Sequence, residues 1–331
     1  MIIFYSLLTI ILLAGLSFAN GANDISKTIA TLAGAGVASV RQAILWGCFW
    51  MVVGGLTGIY WGLEIIKNLT ENIYLVTENL PFEMAVSIAV APIIWVFLST
   101  FKKWPVSTTH AIVGSLIGAG LIALGAEFIA WEKVGKKIVL PLLISPFVSI
   151  FLAIFLTPSL KTLLNKIKKY TFFSFKLSED NLHWVTSAML SYARGLNDTP
   201  KLIAVMLPLS LAVGNTLHVV FFVLAAVSMG LGGLIAGKRI TEVLGFQITK
   251  LSHKQGFIAN LVSAFLVIGA SKMGMPVSTT HVSASAIMGT GLAEKTKLQK
   301  DTVISMLLAW LITVPASAII AVICFLFLQN I

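Results

Sequence analysis

Charge is what this sequence has least of. Only 11% of its 331 residues are Asp, Glu, Lys or Arg, 57% are hydrophobic, and the mean hydropathy is +0.95. A water-soluble domain carries about a quarter charged residues, so an ordinary soluble protein is excluded and a polytopic membrane protein is implied. Cysteine is nearly absent. Cys48 and Cys324 stand alone in apolar runs, which excludes a disulfide framework and a cysteine metal site. Acidic residues number 13 against 23 basic ones, a formal charge of +10. In a soluble chain that excess would suggest nucleic acid; here it reads as the Lys and Arg of cytoplasmic loops, and no nucleic-acid partner is expected. Residues 2–19 are apolar and end in Ser17-Phe18-Ala19, which could pass for a signal-peptidase site. No basic segment precedes them, and the stretch reads as a retained first helix.

What the sequence does have is repetition. Pro105-Val106-Ser107-Thr108-Thr109-His110 returns as Pro276-Val277-Ser278-Thr279-Thr280-His281, 171 residues later. Gly21-Ala22-Asn23-Asp24, followed by Lys27, returns as Gly195-Leu196-Asn197-Asp198 followed by Lys201, at an offset of 174. Two motifs in one order at nearly one offset mark a tandem duplication. The halves are residues 1–157 and 184–331, joined by a basic linker over 158–183 that holds Lys161, Lys166, Lys168, Lys169 and Lys176.

Hydropathy predicts helices over 2–20, 43–63, 84–101, 138–157, 216–236, 256–271 and 302–328, with Gly-rich runs at 105–124 and 276–293. Gly and Asn beside a charge predict helix breaks at both Asn-Asp elements. The residues after them, 28–39 and 200–213, read as interface or re-entrant segments. Loop charge orients the chain. The Lys-rich linker and the loop from Lys238 to Lys254 belong in the cytoplasm. The loop 64–83, with Glu64, Glu71, Glu78 and Glu83, belongs outside, and so do both termini. Each half then crosses an odd number of times. The expected fold is an all-α polytopic membrane protein of two inverted repeats, with broken helices and re-entrant helical hairpins, a secondary-transporter architecture. The location is the cell (inner) membrane.

The chemistry lies in the repeated motifs. Pro suits the first turn of a helix. Ser107, Thr108 and Thr109, with Ser278, Thr279 and Thr280, would then present hydroxyls beside free N–H groups, an anion site of about half a positive charge per terminus. The plain alternative is back-bonding of each hydroxyl to its own helix. Asp24 and Asp198 are carboxylates in apolar sequence, which costs on the order of 3 kcal/mol. With Asn23 and Asn197 they offer oxygen ligands to Na⁺ or a carrier for H⁺; otherwise they are caps. Lys27 and Lys201 are snorkelling residues or fixed cations near the anion. His110 and His281 are proton carriers or hydrogen-bonded supports. Arg194 has Asn20 as its counterpart and so ranks below the duplicated residues. A Ser-His-Asp hydrolase is the alternative from another class. It lacks a Gly-x-Ser-x-Gly elbow, and two symmetric copies suit one binding site better than a catalyst.

These motifs (Gly-Ala-Asn-Asp at 21–24, Ala-Arg-Gly-Leu-Asn-Asp-Thr-Pro-Lys at 193–201 and the two hexapeptides) resemble those of the inorganic phosphate transporter (PiT, or PHO4) family over essentially the whole chain. The resemblance implies a non-enzymatic symporter, a homodimer in the lipid bilayer, importing inorganic phosphate with a coupling cation. It implies phosphate at the Ser-Thr-Thr segments and the coupling ion at Asn23, Asp24, Asn197 and Asp198. No cofactor is implied beyond possible Na⁺ at those residues. Sodium-coupled animal members carry Glu on flanking helices where this sequence has Met51, Ala85 and Asn260, and many members have Asn at the position of Lys27. These departures favour H⁺ over Na⁺. Relatives also carry sulfate, the alternative anion.

Overall fold

The structure is a computed structural model that describes residues 2–75, 80–167, 179–210, 219–246 and 248–330. The described residues are helical throughout, apart from turns and one isolated bridge between Tyr74 and Ile129. In the first half the helices are α1 (Ile2–Asp24), α2 (Ser26–Gly34), α3 (Val40–Trp61), α4 (Leu63–Thr70), α5 (Phe82–Phe101) and α6 (Thr108–Ala123). Then α7 (Trp131–Val134) runs through a π turn into α8 (Leu140–Ile167). In the second half they are α9 (Glu179–Ser210), α10 (Val219–Ala236), α11 (Lys238–Phe246), α12 (His253–Lys272), α13 (Thr279–Ala293) and α14 (Lys300–Gln329).

Among the described residues, seven helical runs are long and apolar enough to cross a membrane. They hold α1 with α2, α3, α5, α7 with α8, α10, α12 and α14. Phe147, Phe151 and Phe155 on α8, and Leu311, Ile319 and Ile323 on α14, face outward, as a lipid-covered surface allows. The long helix α9 is not among the seven. It carries Arg194, Asp198 and Lys201, all buried in protein rather than presented to lipid.

The contacts come in reciprocal pairs. α1 crosses α10 and α9 crosses α3; α6 packs on α14 and α13 on α8. The crossings are backbone-tight. A Cβ on Gly21 would lie 1.9 Å from the carbonyl oxygen of Met229, and one on Gly195 would lie 1.9 Å from that of Met51. Only glycine lets these helix pairs approach so closely.

The expected breaks at the Asn-Asp elements are corrected. The first shrinks to a single turn at Ile25, whose own dihedrals stay helical. The second is absent, because α9 runs unbroken through Asn197, Asp198 and Pro200. Polar side chains did not require a break, since Asp198 pairs with Lys201 and Arg194 on its own helix and Asn197 Nδ2 donates to Ser271 of α12. The real interruptions are the hairpin turns ahead of the two hexapeptide helices. α5 ends at Phe101, Lys103 takes a left-handed conformation (φ 61°), and the chain runs extended to Ser107. In the second copy Gly274 makes the turn (φ 67°) ahead of Ser278.

Elsewhere helix replaces expected loop. α4 lies in the 64–83 loop and α11 in the Lys238–Lys254 loop. α8 and α9 extend into both ends of the linker. Glu78, Lys168, Lys169, Lys176 and residues 211–213 fall outside the described residues.

Candidate functional site

Each hexapeptide builds a helix start, in a register different from the expected one. Pro105 and Pro276 are two residues ahead of the N-caps, not in the first turn. Ser107 (φ −98°, ψ 114°) and Ser278 (φ −84°, ψ 102°) are the caps themselves. Each serine oxygen accepts from the N–H three residues on, His110 or His281, at 3.2 Å. The proline holds the entering chain extended, and the serine satisfies a donor the helix leaves open.

The two starts meet. Thr109 Oγ1 donates to the carbonyl of Val277 (3.4 Å), and Thr280 Oγ1 donates to that of Val106 (3.1 Å). The His110 and His281 rings lie 4.3 Å apart between centroids, with Trp310 stacked on His281 at 3.9 Å. His110 Nδ1 is 2.8 Å from Ser107 Oγ. Two positive helix ends therefore converge between the halves.

The Asn-Asp elements lie against these starts. Asn23 Nδ2 donates to Thr100 Oγ1 (2.9 Å) and to the carbonyl of Trp104 (3.1 Å); Asn197 Nδ2 donates to Ser271 Oγ (2.7 Å). Thr108 Oγ1 donates to Asp24 Oδ2 at 3.3 Å. The lysines do not snorkel, since both are 1% exposed. Lys27 Nζ bonds Asp24 Oδ1, Asn23 Oδ1 (3.0 Å) and the carbonyl of Val106 (2.6 Å). Lys201 Nζ bonds Asp198 Oδ1, Thr109 Oγ1 and the carbonyl of Val277, each at 2.9 Å. The i, i+3 spacing on a helix face brings each pair together. Thr279 makes no side-chain hydrogen bond of its own in this arrangement.

Arg194 is the residue the sequence ranked too low. It is 1% exposed, with Nη1 3.0 Å from Asp24 Oδ2 and 3.9 Å from Asp198 Oδ2. Its counterpart Asn20 donates to the same Asp24 oxygen at 3.0 Å. Duplication was a poor guide here, because one guanidinium at the crossing of α1 and α9 serves both carboxylates. The available signal was different: an arginine four residues before an aspartate, in a chain with little charge. The buried centre thus holds three cations (Lys27, Arg194, Lys201) and two carboxylates (Asp24, Asp198). Arg194 Nε, Asn20 Oδ1 and Asn197 Oδ1 have no hydrogen-bond partner. Fully ionised, the centre carries one net positive charge in addition to two helix ends. Burial makes such an excess costly unless an anion completes it.

A polytopic helical fold with an internally duplicated, buried and positively charged centre is the architecture expected of a membrane transporter for an anion. Comparison with known proteins is specific. The model of the phosphate transporter family matches residues 20–321, and the chain belongs to that family. A Rhizobium meliloti protein described as a probable low-affinity inorganic phosphate transporter is 31% identical, covering 93% of this chain and 92% of its own length. A Bacillus subtilis protein of the same description is 30% identical, covering 98% of each. A solved structure described as the sodium-dependent phosphate transporter aligns with a TM-score of 0.79. It covers 99% of this chain and all of its own, and at 23% identity that likeness establishes the fold.

Proposed function

We propose that this chain imports inorganic phosphate across the cell membrane with protons rather than Na⁺ as the coupling ion. Family membership supports the substrate, as do two converging helix ends, the Ser107–Thr109 and Ser278–Thr280 segments, and three buried cations. The observation that carries the coupling is the pairing of both lysines with both aspartates. Where a sodium-coupled site would hold Na⁺ on Asn23, Asp24, Asn197 and Asp198, tethered ammonium groups and Arg194 occupy the carboxylates. Met51, Ala85 and Asn260 supply no further negative charge for a metal cation.

Coupling then follows from competition. An ionised Asp24 or Asp198 holds the N–H donors of Lys27, Lys201 and Arg194. A proton on either carboxyl weakens that hold, and the freed donors turn to phosphate, so proton and phosphate binding reinforce one another. The threonine hydroxyls and helix-start N–H groups complete the cage. His110 and His281 support the two starts from behind. In this reading the repeats are inverted, both termini lie outside, the linker lies in the cytoplasm, and the unit is a homodimer without enzymatic activity.

The test is radiolabelled phosphate uptake into proteoliposomes with imposed pH and Na⁺ gradients. Uptake driven by the pH gradient alone is expected, with little competition from excess sulfate. Uptake driven only by Na⁺ overturns the coupling, and full competition by sulfate overturns the substrate.

A further inference from the structure

One buried titratable residue has no place in the phosphate centre. His183 on α9 is 0% exposed, and neither ring nitrogen has a hydrogen-bond partner. Its ring lies against Gly256 of α12, where an added Cβ would come within 2.3 Å of Cε1 and 2.7 Å of Nε2. One turn on, Asn260 accepts from Thr31 Oγ1 of α2 at 2.9 Å, and its Nδ2 is also unpartnered. Buried imidazole and amide groups left in this condition are those that bound water satisfies.

Polar side chains continue in both directions along α9. Toward the linker, Asp180 Oδ1 lies 2.6 Å from His253 Nδ1 at the half-exposed end of α9 and α12. Toward the centre come Ser187, which donates to the carbonyl of Thr28 (2.9 Å), and the buried, unpartnered Ser191 hydroxyl. Arg194, Asp198 and Lys201 follow. At 100° per residue, positions 183, 187, 191, 194, 198 and 201 fall within an arc of about 80° on one helix face. From His183 to Asp198 is about 22 Å at 1.5 Å per residue. The charged and titratable groups on the surrounding elements are Glu179, Asp180 and Tyr192 on α9, His253, Lys254 and Lys272 on α12, Asp24 on α1, Lys27 on α2, Arg41, Cys48 and Tyr60 on α3, and Glu64 and Lys67 on α4, among others farther off. Lys254 pairs with Glu179 at 3.4 Å, and Arg41 is exposed.

We propose that His183 is a proton-relay site connecting the Asp180–His253 pair to the Asp24–Asp198 carboxylates along this face of α9. A proton leaving a centre carboxyl passes along a file of several waters, running past Ser191, to a neutral His183 nitrogen. The other nitrogen gives up its proton toward Asp180–His253, and the ring ends neutral with its tautomer exchanged. The proposal rests on proton coupling and explains how the centre discharges toward the linker while phosphate leaves by its own route. A histidine held in place by hydrogen bonds would have a partner on a ring nitrogen, and neither nitrogen of this one does.

The experiment uses full-length protein in proteoliposomes containing a trapped pH dye, comparing wild type, His183→Gln and Ser191→Ala. Gln keeps polarity without titrating, and Ala removes the Ser191 hydroxyl without adding bulk. Phosphate-driven proton flux is expected to fall at least tenfold in His183→Gln and to recover with millimolar imidazole. Phosphate binding at equilibrium should stay within twofold of wild type. Ser191→Ala, a second variant if the first fails to fold, should slow the flux with binding retained. Equal flux in wild type and in whichever variants fold, or loss of flux and binding in parallel, overturns the relay. A wild type that moves phosphate without protons overturns the coupling itself, and the relay with it.

Discussion

Arg194 Nη1 lies 3.0 Å from Asp24 Oδ2, so a side chain from the second repeat completes the carboxylate of the first. Removing one partner of a buried pair leaves the other charged and unpaired, at a cost of about 3–5 kcal/mol. Arg194→Ala should abolish phosphate uptake and lower the melting temperature in detergent. Arg194→Lys keeps the charge but replaces the planar guanidinium, whose Nη1 lies near both Asp24 and Asp198, with a point ammonium on a different stem. It should fold and transport at least tenfold more slowly, as measured by initial-rate uptake.

Replacing Na⁺ by choline at fixed pH should leave uptake within twofold of its value in Na⁺. A protonophore should reduce it at least tenfold. Under the proposed coupling, in which protonated carboxyls release the cations for phosphate, lowering external pH at fixed internal pH should raise the initial rate.

Thr108 and Thr279 stand at the first helical positions of α6 and α13. Thr108→Ala or Thr279→Ala removes a hydroxyl donor worth about 1.5–3 kcal/mol against a charged partner, so phosphate affinity should weaken about tenfold or more in a binding assay. Ser107→Ala and Ser278→Ala should also cost about 1 kcal/mol of stability, because these serines cap the helices.

Lys27→Ala and Lys201→Ala each free a buried aspartate of its tethered cation. If that cation stands in for Na⁺, Lys27→Ala should gain Na⁺-stimulated uptake or stability that wild type lacks. Thermal stability measured with and without Na⁺ checks this, and the shift should be absent in wild type.

Gly21→Ala and Gly195→Ala should each prevent a monodisperse protein in detergent, because the added methyl meets a carbonyl at 1.9 Å in the α1–α10 and α9–α3 crossings. Gly269→Ala on α12, where an added Cβ meets nothing within 4 Å, should be tolerated. Size-exclusion profiles separate the two outcomes.

The sequence by itself determined the membrane class and the family, because low charge and repeated motifs are properties of local sequence. It also named most of the residues that the structure brings together. Asp24, Lys27, Asp198, Lys201 and the two Ser-Thr-Thr segments come together as their repetition suggested. What only the tertiary structure decided depends on which helix faces cross. Asn197-Asp198 looked like a helix break, yet α9 stays continuous: Lys201 and Arg194 lie against Asp198 from the same helix, and α3 and α12 pack over α9 and keep the group from lipid. Arg194 looked incidental because it occurs once, yet a group at the crossing of the two repeats needs no copy. His183 carried no signal at all, since a lone histidine near a linker is ordinary until it is seen buried against Gly256 of α12 with both nitrogens unpartnered. Pairings among helices distant in sequence arise only when glycine-tight crossings press them together, and no local pattern encodes them.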